Sequence, residues 1–307
     1  MNNETLFVAS EIQELESLLA SIPEENVIDR MSLEARLATA RETLSSLPPQ
    51  RDNQKVKLVF RGKPVLGSRG ISADFSAKAT SVFSDAFAAV AATLSEGLRS
   101  DMGPIPDRDK NQLFITGTAI GSFGFEFELP ENDREPLFPD EMTKAQEAML
   151  KVESLFKLAA EGSDDEVAEV VEEIHPRAVK KVHEFLDLLV QQQAWCALEF
   201  ADRSFRYKDG AQVKKSCERL KDDNIQEGEE IFTGEFQGIL PASRTFEFRL
   251  QDQNTPPLKG RIDKTIENPD VLNREWLHKP ATVKFSVMRV GQGRPRYMLK
   301  NLHDLKS

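Results

Sequence analysis

The last eighty residues set the tightest limit on what this chain can fold into. They read as strand, strand, strand, short helix, strand, strand, over 231–240, 245–250, 258–262, 270–277, 281–290 and 296–299. The run Thr245-Phe246-Glu247-Phe248-Arg249-Leu250 alternates apolar and polar residues at period two, the mark of a half-buried strand. Five short strands with one intervening helix bury their apolar faces by closing on themselves. Gly234, Gly238 and Gly260 fall inside the strands, where a small closed barrel needs bends.

This order predicts an OB-like small β-barrel, a fold used to hold nucleic acid or a protein partner. Charge sets the region apart. From Glu227 to Ser307 there are 13 Lys and Arg against 11 Asp and Glu, whereas residues 1–226 hold 27 against 40. A net charge of −11 for the whole chain disfavours nonspecific coating of nucleic acid, since polyanions repel. A local basic face is still compatible with it.

The remainder divides into two parts. Residues 1–50 read as a helical hairpin, with Ile12, Leu15, Leu18 and Leu19 on one stripe and Leu33, Leu37, Ala40, Leu44 and Leu47 at steps of four and three. Pro48-Pro49 ends it, and its leucine seam suits self-association or packing on its own domain. Residues 55–222 read as a central α+β domain. Val56, Leu58 and Phe60 alternate as a strand, and 74–98 carries a broad apolar helical face that includes Phe75, Phe83 and Phe87, with Gly97 near its end. Residues 113–129 read as a hairpin, or as one long strand bent at its glycines. Acidic helices follow from 141 to 184, then a strand at Trp195, Ala197 and Glu199, and a short basic helix at 212–220. A polar linker at 222–228 leads to the C-terminal barrel domain, 227–307. The fold class expected is α+β: helical hairpin, central α+β unit with acidic helices, and C-terminal OB-like barrel.

The N-terminus shows no basic, then apolar, signal pattern, and 86–94 is too short and too helical in pattern to span a bilayer. Cys196 and Cys217 lack a paired spacing and read as reduced thiols. These features lead us to expect a cytoplasmic protein that does not engage membranes.

No motif assigns a reaction. The segment Gly117 to Gly124 holds three glycines, but it lacks the phosphate-loop lysine and runs on into a strand. Close strand packing accounts for it. Ser122 lacks a nucleophile elbow, and Glu126 and Glu128 read as solvated carboxylates on one strand face. His175 and His183 stand eight residues apart without further ligands, so capping or surface roles fit better than metal. No catalytic residue, metal or cofactor is assigned.

Two clusters remain. Arg61, Lys63, Ser68 and Arg69 lie in a glycine-punctuated loop and form a candidate anion-binding site, adjacent to the 116–124 segment in the same small unit. Arg289, Arg294, Arg296 and Tyr297 surround the turn Gly291-Gln292-Gly293 of the barrel, where cations and an aromatic suit nucleic acid or a protein partner. Docking of the barrel onto the acidic helices of its own chain explains the same charges. The expected function is a non-enzymatic binding or regulatory protein acting through protein contacts, with nucleic acid as a second candidate ligand of the barrel. An enzyme or nucleotide sensor at the glycine-rich unit, and a structural subunit of a larger assembly, are the alternatives.

Overall fold

The computed structural model describes residues 3–23, 26–46, 54–95, 102–119, 123–130, 142–252 and 255–306. Leu47, the Pro48-Pro49 stop, Gly97, Gly121 and Ser122 lie outside the described residues. The chain divides into two compact units, Met1–Asn53 and Gln54–Ser307. The first is the helical hairpin, α1 (Asn3–Ser21) and α2 (Val27–Ser46). Leu15, Leu37 and Ala40 are buried between the helices, with Ile12, Leu19 and Leu33 against them. Leu18 faces outward instead, at 44% exposure. It stands three residues past Leu15, on the far flank of a seam too narrow to cover it.

The second unit opens with a two-layer body. Strands β1 (Lys55–Gly62), β2 (Phe114–Thr118), β3 (Gly124–Glu128), β4 (Ala194–Phe200) and β5 (Arg203–Arg206) form one sheet in the order β2-β3-β1-β4-β5. Every pairing in it is antiparallel. Helices α3 (Ala73–Leu94), α4 (Lys144–Glu161), α5 (Asp164–Glu172), α6 (Pro176–Gln191) and α7 (Gly210–Arg219) complete the body.

Alternation decides which side of the sheet is covered. Val56, Leu58 and Phe60 of β1 are fully buried, and so are Phe127 of β3 and Leu198 of β4. They meet Phe75, Phe83, Phe87 and Val90 of α3, where the helical period lines up one apolar face. Phe83 packs at 5.4 Å from Phe185 of α6, and Phe185 stacks on Phe156 of α4 at 5.6 Å. Each buried ring of this kind contributes roughly 1.5–3 kcal/mol by leaving water.

Local signals end and start the helices as the residues dictate. Thr143 and Gln146 form a reciprocal capping box on α4, and Ser163 and Glu166 form one on α5. His175 caps α6: its Nδ1 accepts the Arg177 backbone N–H at 3.2 Å, and Pro176 fills the first helical position.

The C-terminal part is a closed five-stranded barrel. β6 (Ile225–Leu240) pairs with β7 (Thr245–Leu250), and β7 pairs with β8 (Leu258–Ile262). The chain then crosses through α8 (Asp270–Glu275) to β9 (Pro280–Val290), which pairs back onto β6. β10 (Arg296–Leu299) closes the ring, antiparallel to β9 and parallel to β8. A two-residue strand, β11 (Leu305–Lys306), adds to the outer side of β9. Phe236, Phe246, Phe248 and Phe285 fill the interior, with Phe246 stacked on Phe285 at 4.9 Å.

Two expectations change. The polar stretch at 222–228 is not a linker throughout. A short 3-10 turn at Asp222–Asn224 leads directly into β6, which begins at Ile225 and pairs Ile225 with Val290 and Gly228 with Val287. Cross-strand hydrogen bonding overrides the weak strand propensity of Gln226, Glu227 and Gly228. Residues 203–209, whose polar run reads as leading into a turn, also supply an edge strand, β5, paired with β4.

Gly62 shows how tightly one sheet end is fixed. Its φ is +108°, and a Cβ there would collide with the carbonyl oxygen of Gln193 and lie 2.8 Å from Ala194 Cα. Gln193 itself is left-handed, at φ +52°, and accepts the Lys63 N–H at 3.1 Å. Gly67, at φ +59°, has open space around its Cβ position. Gly62→Ala is therefore expected to lower unfolding free energy by roughly 2–4 kcal/mol, against about 1 kcal/mol for Gly67→Ala. Urea denaturation of the two variants checks this, and equal losses would refute the steric account.

Candidate functional site

The turn between β9 and β10 is built against α5. Gly291 takes a left-handed φ of +53°, and its Cβ position lies 2.5 Å from Asp164 Oδ2. Any side chain there would push the carboxylate away. With glycine in place, the Gln292 N–H donates to Asp164 Oδ2 at 3.0 Å and the Arg294 N–H donates to Asp165 Oδ1 at 2.6 Å. Two backbone donors of the barrel thus receive two carboxylates from the first turn of one helix. The Gly291-Gln292-Gly293 spacing noticed in the sequence serves this contact.

Asp164 also faces the body. Arg219, at the end of α7, donates to Asp164 Oδ1 from Nη2 at 2.6 Å and from Nε at 3.1 Å. The same guanidinium donates through Nη1 to the carbonyls of Leu158, Ala159 and Gly162. The hydrogen bond from Arg219 and then that from the Gln292 backbone hold the Asp164 carboxyl below its ordinary range.

A second contact lies along α5. The Glu172 side chain is 5% exposed and sits between Arg261 Nε at 3.5 Å and Arg296 Nη1 at 3.3 Å. Arg296 Nη2 also donates to the Asp165 carbonyl at 3.0 Å, and Arg261 Nη1 reaches Glu173 at 3.3 Å. Burial pushes the Glu172 carboxyl up, against the pull of Arg261 and Arg296. Lys151 of α4 pairs with Glu173 and ties this contact to the body.

The four barrel residues singled out from the sequence occupy different surroundings. Arg296 is engaged in the joint. The Arg294 backbone is engaged too, but its side chain is 90% exposed, with Asp165 3.9 Å away. Tyr297 is half-buried, edge-on to Phe232 at 5.6 Å, and joins the apolar filling of the barrel. Arg289 is exposed on β9, opposite Gln226 of β6.

The other cluster lies at the far end of β1. Arg61 faces out from the uncovered side of the sheet, and Lys63 follows in the turn fixed by Gly62. Ser68 and Arg69 are exposed in a loop where the Arg69 N–H donates to Leu66 O at 3.1 Å and Val65 bridges Ile71. This loop leads into α3. The Phe60 N–H donates to Phe123 O at 2.9 Å, which brings the residue before β3 beside β1. Gly124 packs against Leu58 of β1 too closely for a Cβ.

Two residues escaped the sequence reading. Trp195 is the cross-strand partner of Arg61, and Arg206 is the partner of Ala197, two residues further along β4. Val59, Arg61, Trp195, Cys196, Ala197 and Arg206 line one shallow hollow on the outer face. Alternation at Trp195, Ala197 and Glu199 marked the strand. Its pairing with β1, more than a hundred residues earlier, left no local signal.

Among the described residues, no group of three or more His, Cys, Asp or Glu side chains is placed to hold a metal ion. Cys217 Sγ lies 3.5 Å from His183 Nε2, and burial first, then Asp187 and Glu218, push its thiol up to about 11. That direction opposes a thiolate nucleophile.

The joint makes a stability prediction. Arg296→Ala would leave Glu172 buried with one partner and should cost roughly 1–3 kcal/mol. Arg294→Ala removes a solvated side chain and should cost under about 0.5 kcal/mol. Asp164, with its folded pKa lowered, contributes stability that is whole above the ordinary carboxylate range and is lost as pH falls through the lower folded value. Glu172, with its pKa raised, works against that slope, because protonation relieves part of its burial cost. Urea midpoints from pH 7 to pH 3 should therefore fall less steeply in Asp164→Asn than in the parent. A parallel decline in both would exclude Asp164 from the acid response. No protein-family model matches the chain, and no curated protein or solved structure shows significant similarity to it.

Proposed function

We propose that this chain is a non-enzymatic binding protein that acts through protein contacts, with a barrel of the OB type carried on its α+β body. The observation that supports this most is the edge of the barrel formed by β8, β10 and the turn at Gly291. That edge receives four carboxyl side chains, Asp164, Asp165, Glu172 and Glu173, through two backbone N–H groups and two arginines. It is a surface chemically suited to acidic groups, and its own helix uses much of it.

What is left for an outside partner is the exposed remainder. Arg289 and the Arg294 side chain stand beside the joint without being consumed by it. In this reading they contact an acidic surface of a protein partner, with nucleic acid as the second candidate ligand. Arg61 near the end of β1, with Lys63, Ser68 and Arg69 in the loop that follows, forms a separate anion-binding surface.

The test is a paired charge reversal, Arg289→Glu with Arg294→Glu, in full-length tagged chain isolated from its own cells under native conditions. A partner seen by native mass measurement should lose at least tenfold in occupancy. The melting temperature should move by no more than about 2 °C, as expected for surface changes. A partner retained at full occupancy would defeat the assignment of these arginines. A chain that stays alone and binds single-stranded oligonucleotide with a steep salt dependence would favour nucleic acid over protein.

A further inference from the structure

The outer face of the body sheet carries a second constellation, unconnected with the barrel. Helices α3, α4 and α6 cover one side of the sheet. The opposite side presents Val59 and Arg61 of β1, Trp195 and Ala197 of β4, and Arg206 of β5. Arg61 and Trp195 are direct cross-strand partners, which places their side chains roughly 5 Å apart at the Cβ atoms. Arg206 flanks the hollow from the other side, two strands from Arg61, or about 10 Å across the sheet. Trp195 is half-buried and both arginines are exposed.

The charges there are unspent. Among the described residues, Arg61, Lys63 and Arg206 form no ion pair. This contrasts with their neighbours: Lys55 pairs with Glu126 at 2.9 Å, and Arg203 with the buried Glu153 at 3.7 Å. In a chain with 51 acidic and 40 basic residues, two unpaired arginines lining one hollow with an indole, and an unpaired lysine just past the strand end, are unusual company. The sheet end that carries them is also rigid. Gly62, the left-handed Gln193 and the Lys63-to-Gln193 hydrogen bond fix where β1 leaves and β4 enters.

We infer that this face binds single-stranded nucleic acid, with a base stacked on Trp195 and backbone phosphates met by Arg61, Lys63 and Arg206. Three physical points select this ligand. A flat-faced indole beside guanidinium groups is the pairing that holds an unpaired base and its phosphates. A duplex hides its base faces, so stacking on Trp195 requires a single strand. A mononucleotide site is a concave pocket that buries most of its ligand, whereas this hollow is too small to enclose one and has cations on two sides. A strand crossing the sheet engages both sides at once. The inference stands apart from the proposed role of the barrel, and either can fail alone.

The experiment is fluorescence anisotropy of a labelled dT12 oligonucleotide with the full-length chain, from 50 to 200 mM salt. The parent protein should bind at low salt. Trp195→Ala should weaken binding about tenfold or more, and Trp195→Phe should largely retain it. Arg61→Gln with Arg206→Gln alters exposed side chains only. It should flatten the slope of log affinity against log salt by about 1.4, the effect of losing two single-strand phosphate contacts. Absence of binding at 50 mM salt would overturn the inference. Binding that survives the sheet variants but is lost with Arg289→Ala and Arg294→Ala would assign the ligand to the barrel and equally overturn it. AMP or polyglutamate competing as well as unlabelled dT12 would replace the single strand with a small nucleotide or an acidic protein surface, and the inference would fall.

Discussion

The Asp164 carboxylate is the point on which the larger unit turns. One oxygen takes the Arg219 guanidinium, which also gathers the carbonyls closing α4, and the other takes a backbone N–H from the barrel. Helix end, helix start and barrel turn are thereby fixed by one side chain on the first turn of α5. The positive end of the α5 dipole favours negative charge at this place, and the capping box of Ser163 and Glu166 keeps that turn formed. Charge-assisted hydrogen bonds of this kind are about twice as strong as neutral ones. One anchor of the barrel on the body is thus a sequence as short as Ser163-Asp164-Asp165-Glu166, beside the Glu172 and Glu173 pairs and the buried Val290.

Apolar packing gives the two halves their internal order and also reaches across the joint, where Val290, Ile225 and Met288 of the barrel pack into the body core beside the polar contacts. The body is ordered by the Phe83, Phe156 and Phe185 cluster, and the barrel by Phe236, Phe246, Phe248 and Phe285. Around that apolar contact lie carboxylates, guanidinium groups and backbone donors. Glu172 illustrates the trade. Its burial disfavours the charge, and only the two arginines on either side make the ionised form tolerable. Such a contact fixes orientation more than it adds stability, because the wrong docking would leave a desolvated carboxylate without a partner.

Much of the fold was legible in the sequence wherever the signal is local. Alternation at 245–250 marked β7, the apolar face at 74–94 marked α3, and the order of strands around one helix foretold a closed barrel. Where contacts are distant, reading failed for identifiable reasons. Gln226 to Gly228 look like a linker because their own propensities are poor, and only the β9 ladder makes them a strand. Arg294 and Arg296 look alike in sequence, yet one side chain is solvated and the other is held by Glu172. Trp195 reads as one more apolar strand residue until its pairing with β1 sets it opposite Arg61. Site chemistry depends on register between segments far apart in the chain, and register is what a local pattern does not carry.

The direct passage from the 3-10 turn at Asp222–Asn224 into β6 has a thermodynamic corollary. With no slack between body and barrel, the acidic side chains of α5 are held beside the barrel edge at a high effective concentration, in the millimolar range or above even for loosely tethered pairs. An outside acidic ligand of ordinary affinity cannot displace them by mass action. The edge at Gly291 is thus energetically reserved. In the binding role proposed for this barrel, recognition would be confined to whatever lies beyond the reach of α5.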